Sequence, residues 1–297
     1  MLTKRQTRNL LFVFFFMSAG VCQGREIKPA ESPVFQDAAP VVKYREYGFD
    51  ILDIVRSAAE KIDVEFSATF NSKFIWNGID AIDDHGVFIP VLTVIFGDSG
   101  FSGKIMDAYP LSSGFQKAVQ RNYAAFYTGK LFEDKPYATN YTLNYWYYAK
   151  PNVAGGRDDS QELGSTFFWP ELVAVGDGSI TPSYYIGVIW GSRSDTHLKE
   201  CEGVIHIFGA NYDFAIPNFW PDGTEQGFRV HGDITYNDGF AGKTIEHEWS
   251  HATLAVSTNI TKGNLTITPV VNYQISMEDS VNPEDEFWCG ITATYRF

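Results

Sequence analysis

Five consecutive residues, His247-Glu248-Trp249-Ser250-His251, spell H-E-x-x-H. On a helix, two His four positions apart share a face and can hold one zinc ion, with the Glu as general base of a hydrolase. On a strand they also share a face, but about 13 Å apart at roughly 3.3 Å per residue. Zinc–nitrogen bonds are only about 2.1 Å long, so a strand cannot close that site. The residues that follow, Ala252-Thr253-Leu254-Ala255-Val256-Ser257, alternate apolar and polar and read as strand. The nearest downstream carboxylate, Glu278, falls in a turn-like stretch. A zinc hydrolase is therefore the remote alternative. The expectation is no metal, no cofactor and no catalytic residue, with His251 on an inner wall and His247 at a rim.

A second constellation is Arg229, His231 and Asp233, which occupy one polar face of one strand pattern. Glu65, Lys73, Asn144, His251, Asn272, Gln274, Glu286 and Arg296 fall on the polar faces of others. Mixed charges and amides around a lumen set ion preference and constrict a channel electrostatically. The same charges could instead pair and shut a narrow pore, because buried ions need partners. The acidic pairs Asp83-Asp84, Asp158-Asp159 and Glu278-Asp279 read as solvated turns, or, if they face outward, as ligands for divalent cations that bridge lipopolysaccharide.

The elements that must position these residues come from the rest of the 297-residue sequence. The charge balance, 23 Lys+Arg against 36 Asp+Glu, argues against nucleic acid, since phosphate binding needs clustered cations. No Gly-rich phosphate loop or nucleotide fingerprint is present. Residues 1–24 read as a secretory signal: Lys4, Arg5 and Arg8, then Leu10 to Met17, then Ser18-Ala19-Gly20. Its apolar run is too short to span a bilayer as a helix. Residues 25–63 read as a periplasmic extension, rich in Pro, Glu and Ala over 25–48, with a short amphipathic helix over 49–62 carried by Ile51, Ile54, Val55, Ala58 and Ile62. Of the later cysteines, Cys201 and Cys289, two free thiols are expected rather than a disulfide framework.

From residue 64 the period becomes two. Val64, Phe66, Ala68, Phe70, Phe74 and Trp76 alternate with polar residues, as do Phe228, Val230, Gly232, Ile234 and Tyr236. Twelve such segments are expected: 64–77, 87–97, 101–109, 117–129, 138–149, 161–169, 180–191, 203–214, 227–237, 249–261, 264–277 and 286–297. A regular series of this kind is a barrel or a sandwich. A soluble sandwich turns its apolar face inward, whereas a membrane barrel turns it to lipid and lines the lumen with polar residues.

Three features favour the membrane barrel. The polar faces are mostly Ser, Thr, Asn, Gln and Gly, not the Lys/Glu of a solvated surface. Aromatics such as Trp76, Tyr147, Trp190, Tyr212, Phe214, Tyr236, Trp249, Tyr273 and Phe287 gather near strand ends, where amphipathic rings settle at a lipid–water boundary. The chain ends mid-strand on Tyr295-Arg296-Phe297, an edge that would aggregate in a soluble domain but pairs in a closed barrel. Tyr295 and Phe297 also have the form of a bacterial outer-membrane assembly signal.

The stretches Asn71-Ser72-Lys73-Phe74-Ile75-Trp76-Asn77-Gly78-Ile79, Asp159-Ser160-Gln161-Glu162-Leu163, Trp249-Ser250-His251-Ala252-Thr253-Leu254 and Leu265-Thr266-Ile267-Thr268-Pro269, with the terminal strand, resemble the TorF-like porin family. The resemblance spans most of 64–297 and departs at Asn77 and in an insertion around 110–137. It implies an outer-membrane barrel and carries little about substrate.

The expected fold is all-β: a transmembrane antiparallel up-and-down β-barrel of about 12 strands over 64–297. The expected function is an outer-membrane porin for passive passage of small hydrophilic solutes. The alternative is a non-conducting structural or adhesive barrel. The expected partners are outer-membrane lipid, lipopolysaccharide and the barrel-assembly machinery, through the C-terminal strand. The longer connections, including 78–86, 110–116, 192–202 and 278–285, are expected on the outside of the cell.

Overall fold

The computed structural model describes residues 62–297 apart from 171, 177, 194–201 and 241–246. The signal, nearly all of the extension and the helix expected over 49–62 lie outside the described residues, as does Cys201; Ile62 and Asp63 belong to the first strand.

Twelve long strands follow one another: β1 (Ile62–Asn71), β2 (Val87–Phe96), β3 (Phe101–Pro110), β4 (Gln120–Leu131), β5 (Thr139–Ala149), β6 (Ser160–Phe168), β7 (Gly178–Gly191), β8 (Gly203–Ile216), β9 (Gln226–Asp238), β10 (Glu248–Thr258), β11 (Leu265–Ser276) and β12 (Glu286–Arg296). Each pairs antiparallel with its sequence neighbours. β12 then returns to β1, with Glu65 opposite Arg296 and Phe70 opposite Ile291. Closure removes the two edges whose unpaired N–H and C=O groups hydrocarbon could not satisfy. The Phe297 amide adds one more bond across this seam, to the Val64 carbonyl at 3.0 Å.

The alternation decides the faces. Phe66, Phe70, Phe88, Leu92, Ile105, Leu143, Leu163, Phe208, Leu254, Val256, Val271, Phe287 and Ile291 are all exposed, and all stand on the outer face. Their cross-strand or in-strand neighbours of opposite parity, Glu65, Thr69, Asn144, Glu162, His231, Gln274 and Glu286, point inward. Polar pairs interrupt the outer face in places. Arg121 forms a paired bond to Asp107, with both N···O distances 2.8 Å, and the Tyr184 hydroxyl lies 2.8 Å from His206 Nδ1. Tyr295 and Phe297 also point outward, in edge-to-face contact at 5.0 Å.

The twelve expected segments match the twelve strands to within a few residues, with one substantive difference. The first was expected to run to residue 77, but β1 stops at Asn71. Phe74 and Trp76, expected on the outer face, instead enter the barrel on a small hairpin formed by Ile75–Trp76 and Ile79–Asp80. Its turn is Asn77-Gly78, with φ of 47° and 86°. Two consecutive positive φ values define a tight turn that suits strand twist, and Asn-Gly is the pair that adopts it most readily.

Candidate functional site

The barrel interior has two ends. The proximal end is where β1 starts and β12 finishes; the distal end carries the loops that leave odd-numbered strands.

Toward the proximal end the inner wall is charged and paired. Register places Asp213 opposite Arg229, and Asn211 opposite His231. Arg229 grips the Asp213 carboxylate through Nε at 2.7 Å and Nη2 at 3.0 Å. His231 lies 2.9 Å from Asn211 Oδ1 and 2.8 Å from Asp233 Oδ2. Arg296 Nε donates to Glu65 Oε2 at 2.9 Å. Side-chain exposure of 35% for Arg229, 39% for Asp213 and 34% for His231 shows that this wall faces open space, not a packed core. Asn272 shares that inner surface on β11 and is half-buried. Asp213 was not anticipated, although its alternation with Asn211 was there to be read.

Toward the distal end the interior is filled by residues 72–86. Phe74 and Ile82 pack with Val87 of β2 and Ala108 of β3. Trp76 meets Tyr148 of β5 at 5.7 Å and Phe240 at 5.9 Å, ring centre to ring centre. The Gly78 carbonyl accepts from Gln274 Nε2 of β11 at 2.9 Å. Gly78 also lies so close to the imidazole of His251 that a Cβ there would collide with it. The loop therefore touches β2, β3, β5, β10, β11 and β12 and spans the bore. His251, Gln274 and Glu286, expected on a polar inner wall, are buried beneath it.

Lys73, expected on a strand face, sits in this loop instead. Its Nζ donates to Glu286 Oε2 at 2.7 Å and pairs with Asp84. Burial alone would lower its pKa, but the bonds to Asp84 and Glu286 outweigh that and raise it. Asn282 Nδ2 donates to the other Glu286 oxygen at 2.9 Å. Asp80, Asp84 and Glu286 bring oxygen atoms within 4.8 Å of one another. The ammonium of Lys73 pairs with two of these three carboxylates, Asp84 and Glu286.

A third inner region lies on β4 to β7. Glu162 is buried and accepts from the Tyr148 hydroxyl at 2.7 Å and from that of Tyr185. Asn144 is buried beside it. Lys104 of β3 lies 5.2 Å over the ring of Phe126. Glu162 and Lys104 were missed: each is a single charge in a segment whose alternation is weak.

The H-E-x-x-H residues do not converge. His247 is exposed, at positive φ, and lies 3.5 Å from Asp238. Glu248 opens β10. His251 is buried, with Nδ1 2.9 Å from the Ser250 hydroxyl. A bulge at this point slips the register between β9 and β10, turning both Ser250 and His251 away from the lipid side.

An apolar outer face around a polar, closed interior decides the setting. The chain is an outer-membrane β-barrel. No family model matches it and no curated protein matches it in sequence. Among solved structures it is similar to the NanC porin (9% identity over 79% of this chain and 99% of that one, TM-score 0.43). It is also similar to LpxR from Salmonella typhimurium (8%, 78% and 99%, TM-score 0.48). A third is an outer-membrane channel from Pseudomonas putida F1 (10%, 80% and 95%, TM-score 0.44). At such identities the likeness concerns the barrel alone.

Proposed function

We propose that this barrel is a channel for small hydrophilic solutes whose passage is limited by the inserted loop 72–86. The observation that carries the reading is the half-exposed charged wall of Arg229, Asp213 and His231, which lies inside an apolar-faced cylinder. In a channel such a wall replaces part of a solute's hydration and sorts ions by charge. Twelve strands stand between small barrels filled by side chains and wide porins, so one loop suffices to narrow the bore. No covalent chemistry is involved in this reading, and the strand-pattern resemblance to the TorF-like porins agrees with it.

The distal end faces outward and the proximal end the periplasm, with Tyr295 and Phe297 presented to the assembly machinery and the outer face to lipid and lipopolysaccharide. The test is single-channel recording of the refolded full chain in planar bilayers. Discrete current steps whose ion preference shifts with Arg229→Gln support the proposal. A correctly folded barrel that passes no current, with or without the loop, leaves the non-conducting alternative in place.

A further inference from the structure

One sector of the inner wall carries aromatic rings in succession. Phe126 of β4 meets Trp146 of β5 edge to face at 5.4 Å. Trp146 lies parallel to Tyr148 at 5.8 Å, with an interplanar angle of 7°. Tyr148 meets Trp76 of the inserted loop at 5.7 Å. The rungs thus recur at nearly constant spacing up the wall. The upper two belong to the packed distal end. Trp146 packs against that end and Lys104 lies over the Phe126 ring, yet both rings remain half-buried on the inner face, on the wall below the loop.

Polar groups flank these rungs. Glu162 stands directly across from Trp146, and Asn144 directly across from Phe126. Asn122 stands across from Tyr148. Asn122 Oδ1 is buried without a hydrogen-bond partner, in a residue only 1% exposed, and Asn144 is buried beside the Tyr185 hydroxyl. An orphaned buried amide costs roughly 1–3 kcal/mol, which a ligand hydroxyl can recover. Gly164 stands across from Asn144, where a Cβ would collide with the Tyr185 hydroxyl and crowd Asn144 Nδ2.

We propose that the wall of Phe126, Trp146 and Tyr148, with Glu162, Asn144 and Asn122, is a binding track for neutral oligosaccharides. A pyranose ring has an apolar C–H face that lies on an aromatic ring and a rim of hydroxyls that seeks carboxylate and amide partners. That combination of mostly apolar contact and a few convergent polar groups is what fixes a ligand in a site. Successive rungs suit successive sugar units, with the Glu162 carboxylate and the Lys104 ammonium over Phe126 as further hydroxyl partners. This deepens the channel reading and rests on it for delivery of the sugar, not for binding.

The test uses the refolded full chain and a series of linear glucose oligomers of increasing length. In bilayers, the sugars interrupt the ion current reversibly, with affinity rising along the series. In detergent, the same sugars change tryptophan fluorescence. Trp146→Ala weakens both by about tenfold, the scale of one aromatic contact, while Trp146→Phe keeps most of the effect. A conducting wild-type protein that no sugar blocks or quenches overturns the track and leaves the channel standing. Equal block in Trp146→Ala also overturns it. Absence of current with fluorescence binding intact, lost in Trp146→Ala, supports the track and refutes the channel.

Discussion

At the proximal end the inward positions of β8, β9, β1 and β12 hold charges that pair across one strand gap and remain half exposed. At the distal end the inward positions of β2, β3, β10, β11 and β12 are buried under a loop that brings its own Trp, Phe and Ile. Both ends obey the same alternation, with apolar residues out and smaller or polar residues in. The difference lies in what fills the bore. Strand periodicity fixes only which way a side chain points; whether the space it points into is water or packed protein is decided by a connection between strands. The inner wall is thus a lining at one end and the rim of a core at the other.

The largest break in this comparison is to remove the filling. Replacing residues 74–82 by a short Gly/Ser turn leaves the twelve strands and their seam intact. Single-channel conductance should rise well above that of the parent, with β content by circular dichroism unchanged. An unchanged conductance in a folded barrel would place the narrowest point elsewhere. Trp76→Ala attacks the same filling more gently. Truncating a packed aromatic costs about 3–5 kcal/mol when the site cannot collapse. Because the indole holds the loop against Tyr148 and Phe240, the loss should appear as loop opening: more frequent current steps and faster proteolysis at 72–86, with little change in barrel melting.

These outcomes bear on what was legible in the residues themselves. The strands were, because Phe66-Ser67-Ala68-Thr69-Phe70 and its counterparts keep a strict period of two and outer faces carry the large side chains. The hairpin was misread because Phe74 and Trp76 continue that period across the end of β1. The contrary signal was local: Asn77-Gly78 flanked by Trp76 and Ile79 is a tight-turn sequence, and a strand cannot run through it. The charged wall was half legible. Arg229, His231 and Asp233 share a face by counting, but their partners Asp213 and Asn211 come from the register of β8 on β9, which composition does not encode. Burial of His251, Gln274 and Glu286 depends on a loop some two hundred positions earlier in the chain, a non-local fact no pattern around those residues contains.

The proximal wall offers a subtler break. Arg229→Gln leaves Asp213 uncompensated, and Asp213→Asn leaves Arg229 so. Reversal potentials in a salt gradient should move toward cation preference in the first and anion preference in the second. The double variant should return close to the parent, because the charge removed is balanced. Independent shifts that simply fail to cancel would mean the two side chains do not face the same permeation path. At the distal end neither change should alter loop opening.

The Lys73 latch gives a smaller, pH-dependent effect. Its raised pKa means that the folded state holds the proton more tightly than the unfolded chain does. Stabilisation from the latch is therefore complete below the ordinary lysine range and fades only as pH rises through the elevated folded value. Open probability should stay flat across neutral and mildly alkaline pH. Lys73→Met should lose the latch at every pH in that window, raising loop opening because buried Glu286 is left without its cation, while exposed Asp84 is screened by solvent. A wild-type protein whose loop opens steeply within that window would show that some other titrating group holds it.

The smallest effect belongs to the motif that looks most like chemistry. His247 is exposed beside Asp238 whereas His251 is enclosed beside Ser250, so the two imidazoles answer to different surroundings. His247→Ala, or treatment with a chelator, should change neither conductance nor melting temperature. His251→Ala should do both, through the cavity it leaves under Gly78. The pair separates a packing His from a rim His on the same strand end. A metal-dependent loss common to both variants would reunite them and restore the zinc reading that their geometry opposes.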